Sequence, residues 1–174
     1  MASFIIVRND AVVRSLAELR GLRAANNHES SSGSNFFRAE IAALAGGGHF
    51  FSEVIETSGH GASIAAVTSG KADVAVIDCV TYGNIGRFAP ERQASVRILG
   101  KTTSGPCLPF VTPSSVSDGE AGQLRDALQA AIGEPSLASV RESLSDFVAL
   151  SDIDYEPLLE LERKAVAPGY PRIA

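Results

Sequence analysis

Short apolar runs alternate with polar, helix-patterned stretches along most of the chain, and that alternation predicts its elements. Ser3 to Val7 (SFIIV) predicts a strand. Ser15-Leu-Ala-Glu18 has capping-box spacing and predicts a short helix that Gly21 is placed to stop. Leu22 to Asn26 (LRAAN) predicts a second strand, and the polar loop HESSSGS follows at once. From Ser34 the period lengthens to that of a helix. Phe37, Ile41 and Leu44 share one face, and Gly46-Gly47-Gly48 ends the run. The same strand, polar loop, helix unit then recurs. Phe51 to Gly59 ends a strand in a Ser-Gly-His turn, and Ala62 to Ser69 forms a helix closed by Gly70.

Farther along, Ala72 to Asp78 (ADVAVID) is continuously apolar between polar neighbours, as suits a central strand buried on both faces. CVTYGNIGRF predicts a short helix before Pro90, and VRILG and LPFVT predict strands on either side of the turn-rich TTSGP. Ser117-Asp-Gly-Glu120 is a second capping box, with Leu124, Leu128 and Ile132 expected as the buried stripe of its helix. A short helix over Leu137 to Leu144, a strand DFVAL, a last helix from about Tyr155 to Ala165 and an extended tail AVAPGYPRIA complete the expectation. Alternating strands and helices call for an α/β fold with a parallel or mixed sheet covered on both faces. Ligands bind such sheets beyond the carboxyl ends of the strands, where HESSSGS, TSGHG and Asp78 all fall.

Composition narrows the classes. The 174 residues suffice for one compact domain, or one with a small second lobe, and a net charge of −5 without a basic block gives no footprint for nucleic acid. No apolar run approaches the roughly 18 residues of a membrane span. MASFIIVRND lacks the parts of a secretory signal, so the chain as given reads as soluble. Cys79 and Cys107 have neither metal-ligand nor redox spacing and are expected as two buried thiols; a disulfide would need an oxidising compartment.

The chemistry rests on a few polar residues. A helix starting at Gly33 or Ser34 offers unpaired amides and the positive end of its dipole. Ser30, Ser31 and Ser32 can donate beside those amides, and Gly33 lets an anion approach the backbone. The same serines also read as an ordinary helix cap. His60, in a turn before a helix, could donate to an oxyanion or serve as a cap. Asp78 could accept from a ligand hydroxyl or ammonium, or bond a neighbouring loop amide. Tyr82 could line the same cleft or pack in a helix face. His28 and Glu29 read as solvated loop residues, and Glu53 and Glu56 as the solvent face of a strand. A serine hydrolase is disfavoured because G-x-S-x-G is absent. His28, His49 and His60 have no metal-ligand spacing, and neither a phosphate loop with lysine nor Gly-x-Gly-x-x-Gly occurs, so no metal, cofactor or enzymatic activity is expected.

SLAELRGLRAANN, ESSSGSN, TSGHGASIAAVTSGKADVAVIDCVTY and VRILGKTTSGPCLPFVT, in that order, resemble the phosphate/phosphonate-type periplasmic substrate-binding proteins of ABC importers. The resemblance runs from about Ser15 to Thr112, and DIDYEPLLEL looks like the family's return into its first lobe. It implies a type 2 periplasmic-binding-protein-like fold, a mixed sheet with helices on both faces, here with one complete lobe plus a partial second lobe. Residues 1–14 would be a strand remnant of lobe one and the crossover, 15–104 the ligand-binding lobe two, and 105–174 the return segment with helices of lobe one. It further implies a small oxyanion such as phosphonate or phosphate, held by Ser30, Ser31 and Ser32 with His60 reaching it from the next turn, and an ABC permease as partner if the protein is exported. The glutamate that meets a ligand amine in aminoalkylphosphonate binders would fall near Val80, a departure from the family. Family members begin with a segment that builds most of lobe one, whereas this chain opens on what resembles the strand before the crossover. The expectation is therefore a truncated product or a homodimer through exposed lobe-one edges. Location is periplasmic by resemblance. The alternative is a cytoplasmic sensor or interaction module of the same fold.

Overall fold

In the computed structural model, five strands form one mixed sheet of order β3-β2-β4-β1-β5. The structure describes residues 1–139 and 146–174. The strands are β1 (Ser3–Arg8), β2 (Arg23–Asn26), β3 (Glu53–Glu56), β4 (Val74–Asp78) and β5 (Val96–Lys101). β2 is parallel to both β3 and β4, while β1 runs antiparallel to β4 and β5. The chain divides into two compact units, Met1–Pro106 with Tyr155–Ala174, and Cys107–Asp154.

The sheet is central because its strands are apolar on both faces. Ile5 and Val7 of β1 and Val74 and Val76 of β4 belong to one core, while Ile6, Ala75 and Ile77, one residue out of step, belong to the other. The first core is closed by Phe37 and Ile41 of α1 (Ser32–Ala45) together with Ala165 and Tyr170. The second is closed by Ile64 and Val67 of α2 (His60–Thr68), with Tyr82 and Ile85 of α3 (Cys79–Phe88) packed against it. Helices on both faces follow directly from this two-sided burial. Gly46 ends α1 in the left-handed region at φ 67°, which glycine adopts without a Cβ penalty. A short α4 (Pro90–Ala94), with proline at its start, leads into β5.

Several local expectations are corrected. Ser15 and Glu18 do bond, with Ser15 Oγ donating to Glu18 at 2.8 Å, but they frame only a 3-10 turn, Ala17–Leu19. Gly21, at φ 77°, donates its amide to Phe50 O at 2.7 Å and turns the chain into β2 before a helix can propagate. The tail is not extended as expected: Ala165 and Val166 close α6, and a turn follows in which the Tyr170 amide donates to Ala165 O at 3.0 Å. Tyr170 and Ile173 are buried, and the Phe50 amide donates to Ala174 O at 2.7 Å. Cys79 is half-buried and Cys107 exposed, so neither is the deeply buried thiol expected.

The second unit contains α5 (Asp118–Gly133), whose capping box between Ser117 and Glu120 is complete. The expected buried stripe is not: Leu124 is 50% exposed, Leu128 and Ile132 are half-buried, and α5 buries no residue. LPFVT and DFVAL form no strand, because neither finds a ladder partner among the described residues. Their side chains Leu108, Phe110, Val111 and Val148 are exposed. Pro135–Leu137 is a 3-10 turn, and the rest of the helix expected to Leu144 lies largely outside the described residues. The last helix, α6 (Asp152–Val166), starts a little earlier than expected and carries Pro157 in its first turns.

Candidate ligand-binding site

β2 and β4 end on the same rim of the sheet, and antiparallel β1 starts there, with Ser3 opposite Asp78. Sheet register thus gathers Ser3, Asn26, Asn27 and Asp78. α1 begins directly above this rim. Ser31 is its N-cap: its hydroxyl accepts from the Ser34 amide at 3.1 Å and donates to Asn27 Oδ1 at 2.9 Å. Ser34 Oγ lies 2.8 Å from Ser31 Oγ and 2.7 Å from His28 O, and it also bonds Asn26 Oδ1. Ser34 is buried, so the first turn of α1 is anchored into the end of β2 by side-chain bonds.

That anchoring serves the Ser34 amide and leaves those of Ser32 and Gly33, which have no intrahelical acceptor at a helix start. No acidic residue occupies the first turn of α1, so the positive end of its dipole is not offset locally. Gly33 sits where space is scarce: a Cβ there would lie 3.2 Å from Ser3 Oγ. The Ser3 hydroxyl is itself buried with no hydrogen-bond partner among the described residues.

The TSGH turn is tied to the same strand end. Thr57 N donates to Asn26 O at 2.9 Å, Ser58 takes a left-handed φ of 62°, and Ser63, fully buried, pairs with Thr57 Oγ1 at 2.6 Å. His60 is thereby set at the first position of α2. Its Nε2 stands 3.0 Å from Asp78 Oδ2 and 3.4 Å from Asn27 Nδ2, while Nδ1 is buried without a partner among the described residues. Asp78 caps α3, Oδ1 accepting from the Thr81 amide at 2.8 Å. Burial alone would raise the Asp78 carboxyl, but hydrogen bonds from His60 and Thr81 outweigh it and hold the group well below the ordinary carboxylate range.

The serine helix start, His60 and Asp78 are therefore neighbours, as expected of one site. Both oxygens of Asp78 are engaged, by the Thr81 amide of α3 and by His60. Ser30 is exposed, its hydroxyl 2.7 Å from His28 Nδ1, and Ser32 and Gly33 open the helix. Tyr82 stands edge-on to Phe4 at 5.2 Å between centroids and packs on the second core. His28 and Glu29 are exposed, as are Glu53 and Glu56 at the ends of β3. Sequence reasoning missed Asn26, Asn27, Ser34 and Ser3. The only signal for the first two was a pair of asparagines placed between an apolar strand and a serine loop.

The family of the periplasmic substrate-binding protein of ABC phosphonate transporters matches residues 1–155. The chain belongs to this family. The family is one of transporter substrate-binding proteins, not of enzymes. Among proteins with curated functions, none matches the sequence. A binding-protein component of an ABC phosphonate transporter from Pseudomonas aeruginosa is 21% identical with a TM-score of 0.72, over 96% of this chain and 59% of that one. PhnD1 from Prochlorococcus marinus, solved in complex with methylphosphonate, is 18% identical with a TM-score of 0.72, over 94% of this chain and 66% of its own. XAC2383 from Xanthomonas citri, solved bound to ATP, is 19% identical with a TM-score of 0.69, over 96% of this chain and 66% of its own. This phosphonate-binding-family chain thus spans 59% to 66% of the length of these neighbours and shares their fold over nearly all of its own. None of its described helices is long and apolar enough to cross a membrane.

Proposed function

We propose that the chain acts as a solute-binding protein or domain of an ABC importer, located in the periplasm, that takes a small oxyanion such as a phosphonate or phosphate. Residues 15–104 form the ligand-binding lobe, 1–14 come from the first lobe and crossover, and 105–174 return toward it, so the cleft is completed by surface outside lobe two. Ser30 and Ser32 donate to the anion with the amides of Ser32 and Gly33, Ser31 turns its proton from Asn27 to the anion on binding, His60 reaches it from the neighbouring turn, Asp78 holds His60, and Tyr82 lines the wall behind. The permease is the partner in transport, and a homodimer forms through exposed lobe-one edges. The observation that carries this reading is the helix start of α1, anchored through Ser34 with no acidic first turn, facing a histidine that Asp78 holds in place.

The test is a thermal-shift series with inorganic phosphate, methylphosphonate and sulfate. A ligand selective for the native state at 100 times its Kd adds about 2.7 kcal/mol, an easily read rise in Tm. Ser31→Ala combined with His60→Ala abolishes the rise; a rise that survives in the double variant removes these residues from the site.

A further inference from the structure

The Asn27 side chain bridges the two halves of the site. Its Oδ1 accepts from the His28 amide at 2.9 Å and from Ser31 Oγ at 2.9 Å. Two donors on one oxygen decide which end of the amide is which, because the flipped group would set its NH2 against the His28 N–H. Nδ2 is therefore turned toward His60, where its contact is Nε2 at 3.4 Å. That ring nitrogen also stands 3.0 Å from Asp78 Oδ2. With its proton directed at the carboxylate, Nε2 has no lone pair to offer, and the Asn27 N–H faces another donor. Asn27 thus holds a half-buried amide N–H without a good acceptor among the described residues, at the point between Ser31 and His60. The fully buried, unpartnered Ser3 hydroxyl under Gly33 marks the same helix start as polar and unsatisfied.

We propose that Asn27 is a further ligand-binding residue, whose side-chain amide donates to an oxygen of the anion held between Ser31 and His60. The inference rests on the anion-binding reading above. An oxyanion that touches both Ser31 and His60 occupies the gap Asn27 spans, and its oxygen supplies the acceptor the amide lacks. Because the chain carries a net charge of −5 and no Lys or Arg joins this cluster's hydrogen bonds among the described residues, neutral donors such as this one carry the recognition.

The test uses isothermal titration with inorganic phosphate and with methylphosphonate on the whole chain. Asn27→Asp keeps the shape and the acceptor for His28 and Ser31 but replaces the donor with a charged oxygen; Asn27→Ser removes the amide and keeps a short polar group. Both are expected to weaken binding by roughly tenfold or more, the loss that accompanies removal of a hydrogen bond to a charged group. In the unmutated protein, the Asn27 side-chain NH2 resonances are expected to move on saturation with phosphate. If wild type binds and both variants bind equally, or if those resonances stay in place, the inference is overturned while the anion reading stands. If the unmutated protein binds neither anion, the anion reading fails and the role of Asn27 falls with it.

Discussion

Helices α1 and α5 both open on a serine whose hydroxyl accepts from the amide three residues on, Ser31 from Ser34 and Ser117 from Glu120. In α5 the motif closes on itself. Glu120 returns a carboxylate to the Ser117 amide at 2.9 Å, and Asp118 adds a second negative charge to the first turn. In α1 the residue at the Glu120 position is Ser34, whose hydroxyl meets Asn26, His28 and the Ser31 hydroxyl but not the Ser31 amide, which donates to His28 O instead. One helix start neutralises its own dipole at the surface, and the other keeps its positive end and two amides available on a rim shared with His60. A serine cap is therefore compatible with either arrangement, and the residue three positions later decides which one forms.

The two helices differ as much below the cap. Ile41 of α1 is wholly buried in the first core, whereas Leu124 in the apolar stripe of α5 is 50% exposed. Ile41→Ala is expected to cost about 2 to 5 kcal/mol in a urea titration, because it removes buried methyl groups and leaves a cavity. Leu124→Ala is expected to cost less than about 1 kcal/mol by the same measurement, since half of its side chain already meets water. Equal losses would mean that α5 is covered in solution, and sedimentation at high concentration would then show the larger species.

Asp78 comes next in size. Asp78→Asn keeps a competent helix cap but loses the charged partner of His60, an expected cost of about 1 to 3 kcal/mol at pH 7. The carboxyl is lower in the folded protein than its unfolded value of about 3.9, so its contribution is fully present above that pH and fades as the pH falls through the folded value. The gap between the urea midpoints of wild type and Asp78→Asn is thus expected to narrow from pH 7 toward pH 3. A gap that stays unchanged below about pH 4 would contradict a carboxyl held low by His60 and Thr81.

The first unit was legible because each of its central strands is apolar on both faces, and a short continuous apolar run carries that information locally. VAVID and SFIIV read correctly for this reason. LPFVT and DFVAL have the same local character, but a strand exists only with a neighbour, and no neighbour can be read from the segment itself. The Ser15–Glu18 motif misled in a similar way: the pair bonds as expected, yet the Gly21 contact with Phe50 ends the turn from outside the motif. Of the residues at the candidate site, Ser31, His60 and Asp78 were proposed from loop chemistry at strand ends. Asn27 and Ser3 were not, because their place depends on which strand ends the register brings together, and Ser3 enters only through an antiparallel strand pairing with Asp78.

The smallest expected effect on stability is also the sharpest test of the comparison between caps. Ser32 holds the first helical position of α1, and Asp118 holds it in α5. Ser32→Asp gives α1 the acidic start of α5 while leaving Ser31 and Ser34 intact. Facing an unopposed helix dipole, the new carboxylate is expected to stabilise the ligand-free protein by about 0.3 to 1 kcal/mol at low salt. The same charge stands where an oxyanion would meet the Ser32 and Gly33 amides, so the Tm rise with phosphate or methylphosphonate is expected to vanish. Stability and ligand response move in opposite directions only if the open helix start is the binding surface. If Ser32→Asp leaves the phosphate response intact, α1 is capped for structure as α5 is, and the anion contacts lie elsewhere.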